Sequence, residues 1–184
     1  MQLYMSIDSQ TKVLEYFYAR PGEEIHVRAL ARKIGLHPNT VISATDELSK
    51  QLLIQKKRKL SRVFITANKM SPYFTIRKRA HHIEQIYRTE LITYLQEMLY
   101  HPTIVLFGSF AKGDERPDSD IDLFILTEKE RELDVRTYEK QLGREIQLVT
   151  YTKKAWKQLL KTQPELANNI INGITLEGYL EVLS

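Results

Sequence analysis

Asp120 and Asp122, one residue apart and downstream of Gly108-Ser109, are the side chains of this chain best placed to do chemistry. They stand in the sequence Gly108-Ser109-Phe110-Ala111-Lys112-Gly113-Asp114-Glu115-Arg116-Pro117-Asp118-Ser119-Asp120-Ile121-Asp122-Leu123. Residues two apart on an extended strand share a face. Both carboxylates therefore point one way, while Ile121 and Leu123 enter a core. Before them, Thr103-Ile104-Val105-Leu106-Phe107 reads as a buried strand that Gly108-Ser109 breaks, opening a short helix. Backbone amides at such a turn carry partial positive charge and suit phosphate. Two hard oxygen donors beside a phosphate cradle are the makings of a site for a divalent ion and a nucleotide.

The Gly-Ser pair, the spacer holding Lys112, Gly113, Arg116, Pro117 and Ser119, and the Asp-x-Asp resemble the nucleotidyltransferases related to DNA polymerase beta, in particular the minimal forms of bacteria and archaea. The resemblance runs from about residue 100 to the C-terminus, where Gly173-Ile174-Thr175-Leu176-Glu177-Gly178 matches the closing element. It implies Mg2+ or Mn2+ on Asp120 and Asp122, and a nucleoside triphosphate, ATP by expectation, as substrate or ligand. Gly108, Ser109, Lys112 and Ser119 would bind the nucleotide, with Lys112 or Arg116 offsetting phosphate charge. Two metal ions bridge carboxylates and triphosphate in such sites. The family's third carboxylate falls on the next strand, and the register of Arg144-Glu145-Ile146-Gln147-Leu148-Val149 puts Gln147 there. Glutamine offers a neutral carbonyl oxygen and cannot act as a base. Glu145 and Asp118 are the alternatives. Fusions of a winged helix to this domain form a largely archaeal group that includes an amide at this position. The acceptor in similar proteins can be a protein hydroxyl, such as a tyrosine on a partner toxin.

The preceding residues supply the second half of that fusion. Ser9–Arg20 reads as a helix, Val27–Ile34 as a second, and Asn39–Gln51 as a third with Val41, Ile42, Ala44 and Leu48 buried. Gly35 and Pro38 mark the turn between the last two. Leu52–Ile54 and Val63–Thr66 read as strands around a basic tip, and this order resembles a winged helix-turn-helix. Duplex DNA would then be met by Asn39, Thr40 and Ser43 at base edges and by Lys56, Lys57, Arg58, Lys59 and Arg62 at phosphates. Charge agrees, since residues 1–70 hold 12 Lys/Arg against 6 Asp/Glu in a chain whose net charge is only +4.

The expected architecture is α+β: a winged helix-turn-helix at 1–70, a linking helix within 71–100, and a small mixed-sheet nucleotidyltransferase domain flanked by helices at 101–184. Ala67–Thr75 reads as the linker. Ile76–Tyr100 reads as one long helix with an apolar stripe, packing on the C-terminal sheet or pairing two copies as a homodimer. Glu128–Leu142 reads as a helix ended by Gly143. His81 and His82 are adjacent, face different sides of a helix and are expected to be exposed, while Trp156 is expected in a core or at a domain edge. No Asp/His relay accompanies Ser109, so a hydrolase triad is not supported. The chain has no cysteine, which removes disulfides and thiolate zinc sites. No segment reads as a signal peptide or a membrane span, so a cytoplasmic protein is expected. Two functions remain open on these residues: nucleotidyl transfer to a hydroxyl acceptor, or transcription regulation by a domain that binds nucleotide without turnover.

Overall fold

The structure is a computed structural model that describes residues 2–59, 61–129 and 131–181, with side chains from residue 9 onward. The chain divides into two compact units, Met1–Lys78 and Arg79–Ser184.

The first unit runs α1 (Gln2–Ala19), β1 (Ile25–His26), α2 (Val27–Ile34), α3 (Pro38–Lys50), β2 (Ile54–Lys59) and β3 (Arg62–Ala67). Its three strands form an antiparallel sheet in the order β1-β3-β2. Val13, Phe17, Leu30, Val41, Leu48 and Ile65 are fully buried in its core. The α2–α3 turn is built locally. Gly35 takes φ +67° as the C-cap of α2 and donates its N–H to the Ala31 carbonyl. His37 caps α3, its Nδ1 accepting from the Asn39 N–H at 3.3 Å, and Pro38 fills the first helical turn where no N–H is needed.

Several sequence expectations change here. Helix α1 begins at Gln2 rather than Ser9. Ile42 is 42% exposed, so it lies on the solvent face of α3. Leu52 turns the chain with φ +59°, and β2 starts only at Ile54. The basic residues are therefore in the strands and not at a tip. Alternation splits them: Lys57, Lys59 and Arg62 share a face with Phe64, while Lys56 and Arg58 share the opposite face with Ile65 and Val63. Ala67 and Phe74, expected in a linker, are buried in this unit's core, and the division falls further on, inside α4 (Pro72–Arg88).

The second unit continues with α5 (Leu91–Leu99), β4 (Thr103–Phe107), α6 (Gly108–Lys112), β5 (Ile121–Leu126), α7 (Arg136–Leu142), β6 (Ile146–Tyr151), α8 (Lys153–Thr162), α9 (Pro164–Ile171) and β7 (Ile174–Glu177). The sheet order is β6-β5-β4-β7, with β5 and β6 parallel and the other pairs antiparallel. Both faces are covered, so the central strands are continuously apolar. Leu123 and Ile125 pack with Leu91, Leu95 and Leu99 on one side; Phe124 and Leu126 pack with Trp156, Leu159 and Ile170 on the other.

The expected long helix is two. Glu90 adopts φ +62°, Thr89 Oγ1 donates to the Ile86 carbonyl at 2.7 Å, and α5 restarts at Leu91. Ile76 and Tyr87 of the expected stripe are exposed. The described residues of 128–135 are not helical, and α7 begins only at Arg136.

Candidate functional site

The site forms where β4 ends beside β5. Phe107 pairs with Asp122, and the chain turns sharply at Gly108, φ +68°, into α6. Two constraints coincide at Gly108. Its backbone lies in the left-handed region that disfavours a side chain. A Cβ there would stand 2.2 Å from Asp122 Oδ2. The absence of a side chain is what lets the carboxylate lie against this turn. Ser109 is half-buried at the start of α6, and its carbonyl accepts from the N–H groups of Gly113 (2.8 Å) and Asp114 (3.2 Å). Lys112 is exposed, with Nζ 3.4 Å from Asn169 Oδ1 on α9.

Asp122 belongs to the alternating set that includes Phe124, so its carboxylate is on the sheet face covered by α8 and α9. Asp120 precedes the strand and is exposed. The Asp122 carboxyl is pushed above the usual range, by burial first and then by the charge of Asp120. Two acids whose charges oppose each other in a half-buried place are what a divalent cation relieves. The donor set therefore fits such an ion.

The neighbouring strand supplies no third acid. In the parallel β5–β6 register, Asp122 is paired with Gln147, which is exposed. Glu145 lies just before β6, and its carbonyl accepts from the Ile121 N–H at 2.9 Å. Asp118 is exposed within the turn before Asp120. Among the described residues, no three His, Cys, Asp or Glu side chains cluster as a metal site.

The turn before Asp120 is held by several groups. Ser119 Oγ accepts from the Arg116 N–H at 2.9 Å, and the Ser119 N–H donates to the Arg116 carbonyl at 3.1 Å. Ser119 thus closes the turn. Glu115 is buried and lies 2.8 Å from His82 Nε2 on α4, whose ring packs on Phe110 at 5.0 Å. His82 is accordingly not an exposed histidine. His81 is half-buried, and burial and then His82 lower its pKa. Arg144 reaches the same turn with its guanidinium. No local pattern pointed to His82 or Arg144, because their partners lie 33 and 25–28 residues away.

In the first unit, Asn39, Thr40 and Ser43 are exposed on α3, with Ile42 among them. Lys56 Nζ lies 2.5 Å from Asp46 Oδ1 on α3, and Lys59 is paired with Glu24. Lys57, Arg58 and Arg62 are exposed. Among the described residues, no helix is long and apolar enough to cross a membrane.

Residues 88–173 match the family model of the nucleotidyltransferase domain. The match spans α5 through α9 and contains Gly108, Ser109, Asp120, Asp122 and Gln147. It supports nucleotidyl transfer as this region's chemistry. A comparison with curated proteins gives no match.

Proposed function

We propose that the chain is a divalent-metal-dependent nucleotidyltransferase domain tethered to a DNA-binding winged helix. The observation that carries the first part is the seating of Asp122 against Gly108, beside Asp120. Asp120 and Asp122 would hold Mg2+ or Mn2+, and Gly108, Ser109 and Lys112 would receive the phosphates of a nucleoside triphosphate, with ATP the expected one. Held by these carboxylates, such an ion would supply charge neutralisation for the triphosphate and Lewis-acid activation of the acceptor hydroxyl. The acceptor is a hydroxyl, a protein side chain on a partner such as a toxin being the leading candidate. Incubation with labelled nucleoside triphosphates and Mg2+, with and without the products of neighbouring genes, tests this. Label moving to a protein or nucleic acid supports transfer, and nucleotide that neither binds nor reacts removes the proposal.

Gln147 favours a second reading, in which the domain binds metal and nucleotide but turns over slowly or not at all. Its pairing with Asp122 puts a neutral amide where a third charge would stand. Gln147→Asp is expected to tighten Mn2+ binding about tenfold or more, the scale seen when supporting groups around a metal are changed, and to raise transfer where an acceptor is present. Isothermal titration with Mn2+ checks this, and an unchanged affinity removes Gln147 from the site.

The DNA-binding part rests on the order α1-β1-α2-α3-β2-β3 and on the basic excess of residues 1–70. Exposed Asn39, Thr40 and Ser43 would enter the major groove, and a dimer would read two half-sites in the cytoplasm as a transcription regulator. Lys57, Arg58 and Arg62 are ready for phosphate, whereas Lys56 and Lys59 would first release Asp46 and Glu24. Lys57→Ala with Arg62→Ala, which share one face of the ribbon, is expected to weaken binding to every duplex and to lower the salt slope by about one unit per lost contact. Asn39→Ala should blur selectivity instead. Titrations of operator and random duplex at several salt concentrations separate these outcomes. An unaltered salt slope in the double variant would place DNA elsewhere or nowhere on this unit.

A further inference from the structure

Asp120 and Asp122 are held in different ways. Asp122 is fixed by the ladders on both sides of β5 and by the surface of Gly108. Asp120 lies outside the strand, so no ladder fixes it, and its place depends on the turn at 116–119.

Arg144 dominates that turn. It follows Gly143, whose φ of +63° ends α7, and it is half-buried at the entry to β6. Its Nη1 donates to the carbonyl of Arg116 at 2.8 Å, to that of Ser119 at 3.2 Å, and to that of Pro117. The guanidinium carbon stands 5.6 Å from the Phe110 ring on α6. The same dipeptide braces the chain again just beyond, where the Glu145 carbonyl accepts from the Ile121 N–H. One side chain thus touches both arms of the site: the helix opened by Gly108 and the turn that delivers Asp120. Among the described residues its hydrogen-bond partners are carbonyls and not carboxylates, and no acid forms an ion pair with it. One guanidinium nitrogen reaches all three carbonyls, and the planar group that carries it is packed beside the Phe110 ring, a seating that a lysine ammonium lacks.

We infer that Arg144 is the positioning residue for Asp120, holding the 116–119 turn so that the two carboxylates are arranged for a divalent ion before it arrives. This rests on the metal-nucleotide reading of Asp120 and Asp122. Outer partners that orient metal ligands matter about 10–100-fold in affinity when removed.

The test uses the full chain as wild type, Arg144→Ala, Arg144→Lys and Asp120→Ala, with Mn2+ as the probe, alone and with ATP. Bound Mn2+ is read by electron paramagnetic resonance, and backbone amides are followed by hydrogen exchange. Arg144→Ala is expected to raise the Mn2+ dissociation constant about tenfold or more. It should speed exchange at the Ser119 and Ile121 amides while leaving the Phe124 amide in β5 protected. Arg144→Lys should fall between wild type and Arg144→Ala on both measures. Unchanged Mn2+ affinity with unchanged exchange at Ser119 and Ile121 overturns the inference, and so does faster exchange through the whole second unit, which would mark Arg144 as a general stabiliser. If Asp120→Ala binds Mn2+ as well as wild type, the metal reading itself is overturned, whatever the exchange data show for the turn.

Discussion

Asp122→Ala is expected to abolish the proposed metal-dependent nucleotide binding while leaving the fold intact. The loss is expected to exceed about 100-fold, the upper end of what removing even an outer partner of a metal ligand does. No neighbour can replace it. Gln147, its partner on β6, is neutral, and the described residues contain no third clustered acid. Fluorescent-nucleotide titration with Mg2+ and with EDTA measures the effect, and equal affinities in variant and wild type would refute the site. Stability should move the other way. Burial and Asp120 raise the Asp122 carboxyl above its unfolded value, so the folded state binds this proton more tightly than the unfolded state does. Wild type without metal therefore loses stability as pH rises from the ordinary carboxylate range through the raised value, and keeps that loss at neutral pH. Asp122→Asn removes it. Thermal melts across pH should show the variant equal to wild type in acid and more stable at neutrality, a gap that Mg2+ with nucleotide narrows by stabilising wild type alone.

Gly108→Ala damages the site through shape and not charge. An alanine at φ +68° costs about 1–2 kcal/mol of backbone strain. Its Cβ would also occupy the place of Asp122 Oδ2, 2.2 Å away, so the carboxylate must rotate off the turn. Gly35 provides the control, with φ +67° and nothing within 4 Å of its Cβ position. Gly35→Ala should show the strain alone, as a lowered melting temperature with Mn2+ affinity preserved. Gly108→Ala should lose both. Retained Mn2+ affinity in Gly108→Ala would mean that Asp122 does not act from the position it holds against the turn.

Features that depend on neighbours a few residues apart are legible along the chain. Period-two alternation set Asp122 on one face and Leu123 and Ile125 in a core, and the break at Gly108-Ser109 is a local demand for a turn. Gly35 and Pro38 mark the α2–α3 turn in the sequence, and the structure adds the His37 cap, all through bonds that reach at most five residues. That Gln147 stands across from Asp122 is implied by the family resemblance and not by alternation, which fixes a face but no partner; the parallel β5–β6 register pairs the two.

Other features depend on where the chain returns in space. The apolar stripe from Ile76 to Met98 is continuous in sequence, yet the helix stops at Arg88 and a new one starts after Glu90. Packing of α5 on the sheet requires a new direction that periodicity cannot express. The basic run reads as a loop by composition but becomes strand because β3 offers a backbone ladder, and that ladder divides its charges between two faces. His82 meets Glu115, and Arg144 meets the carbonyls before Asp120, only because α4 and β6 come to lie beside the same turn. The two carboxylates follow local chemistry, whereas the groups bonded to the turn before them come from distant segments, and only the folded chain brings them together.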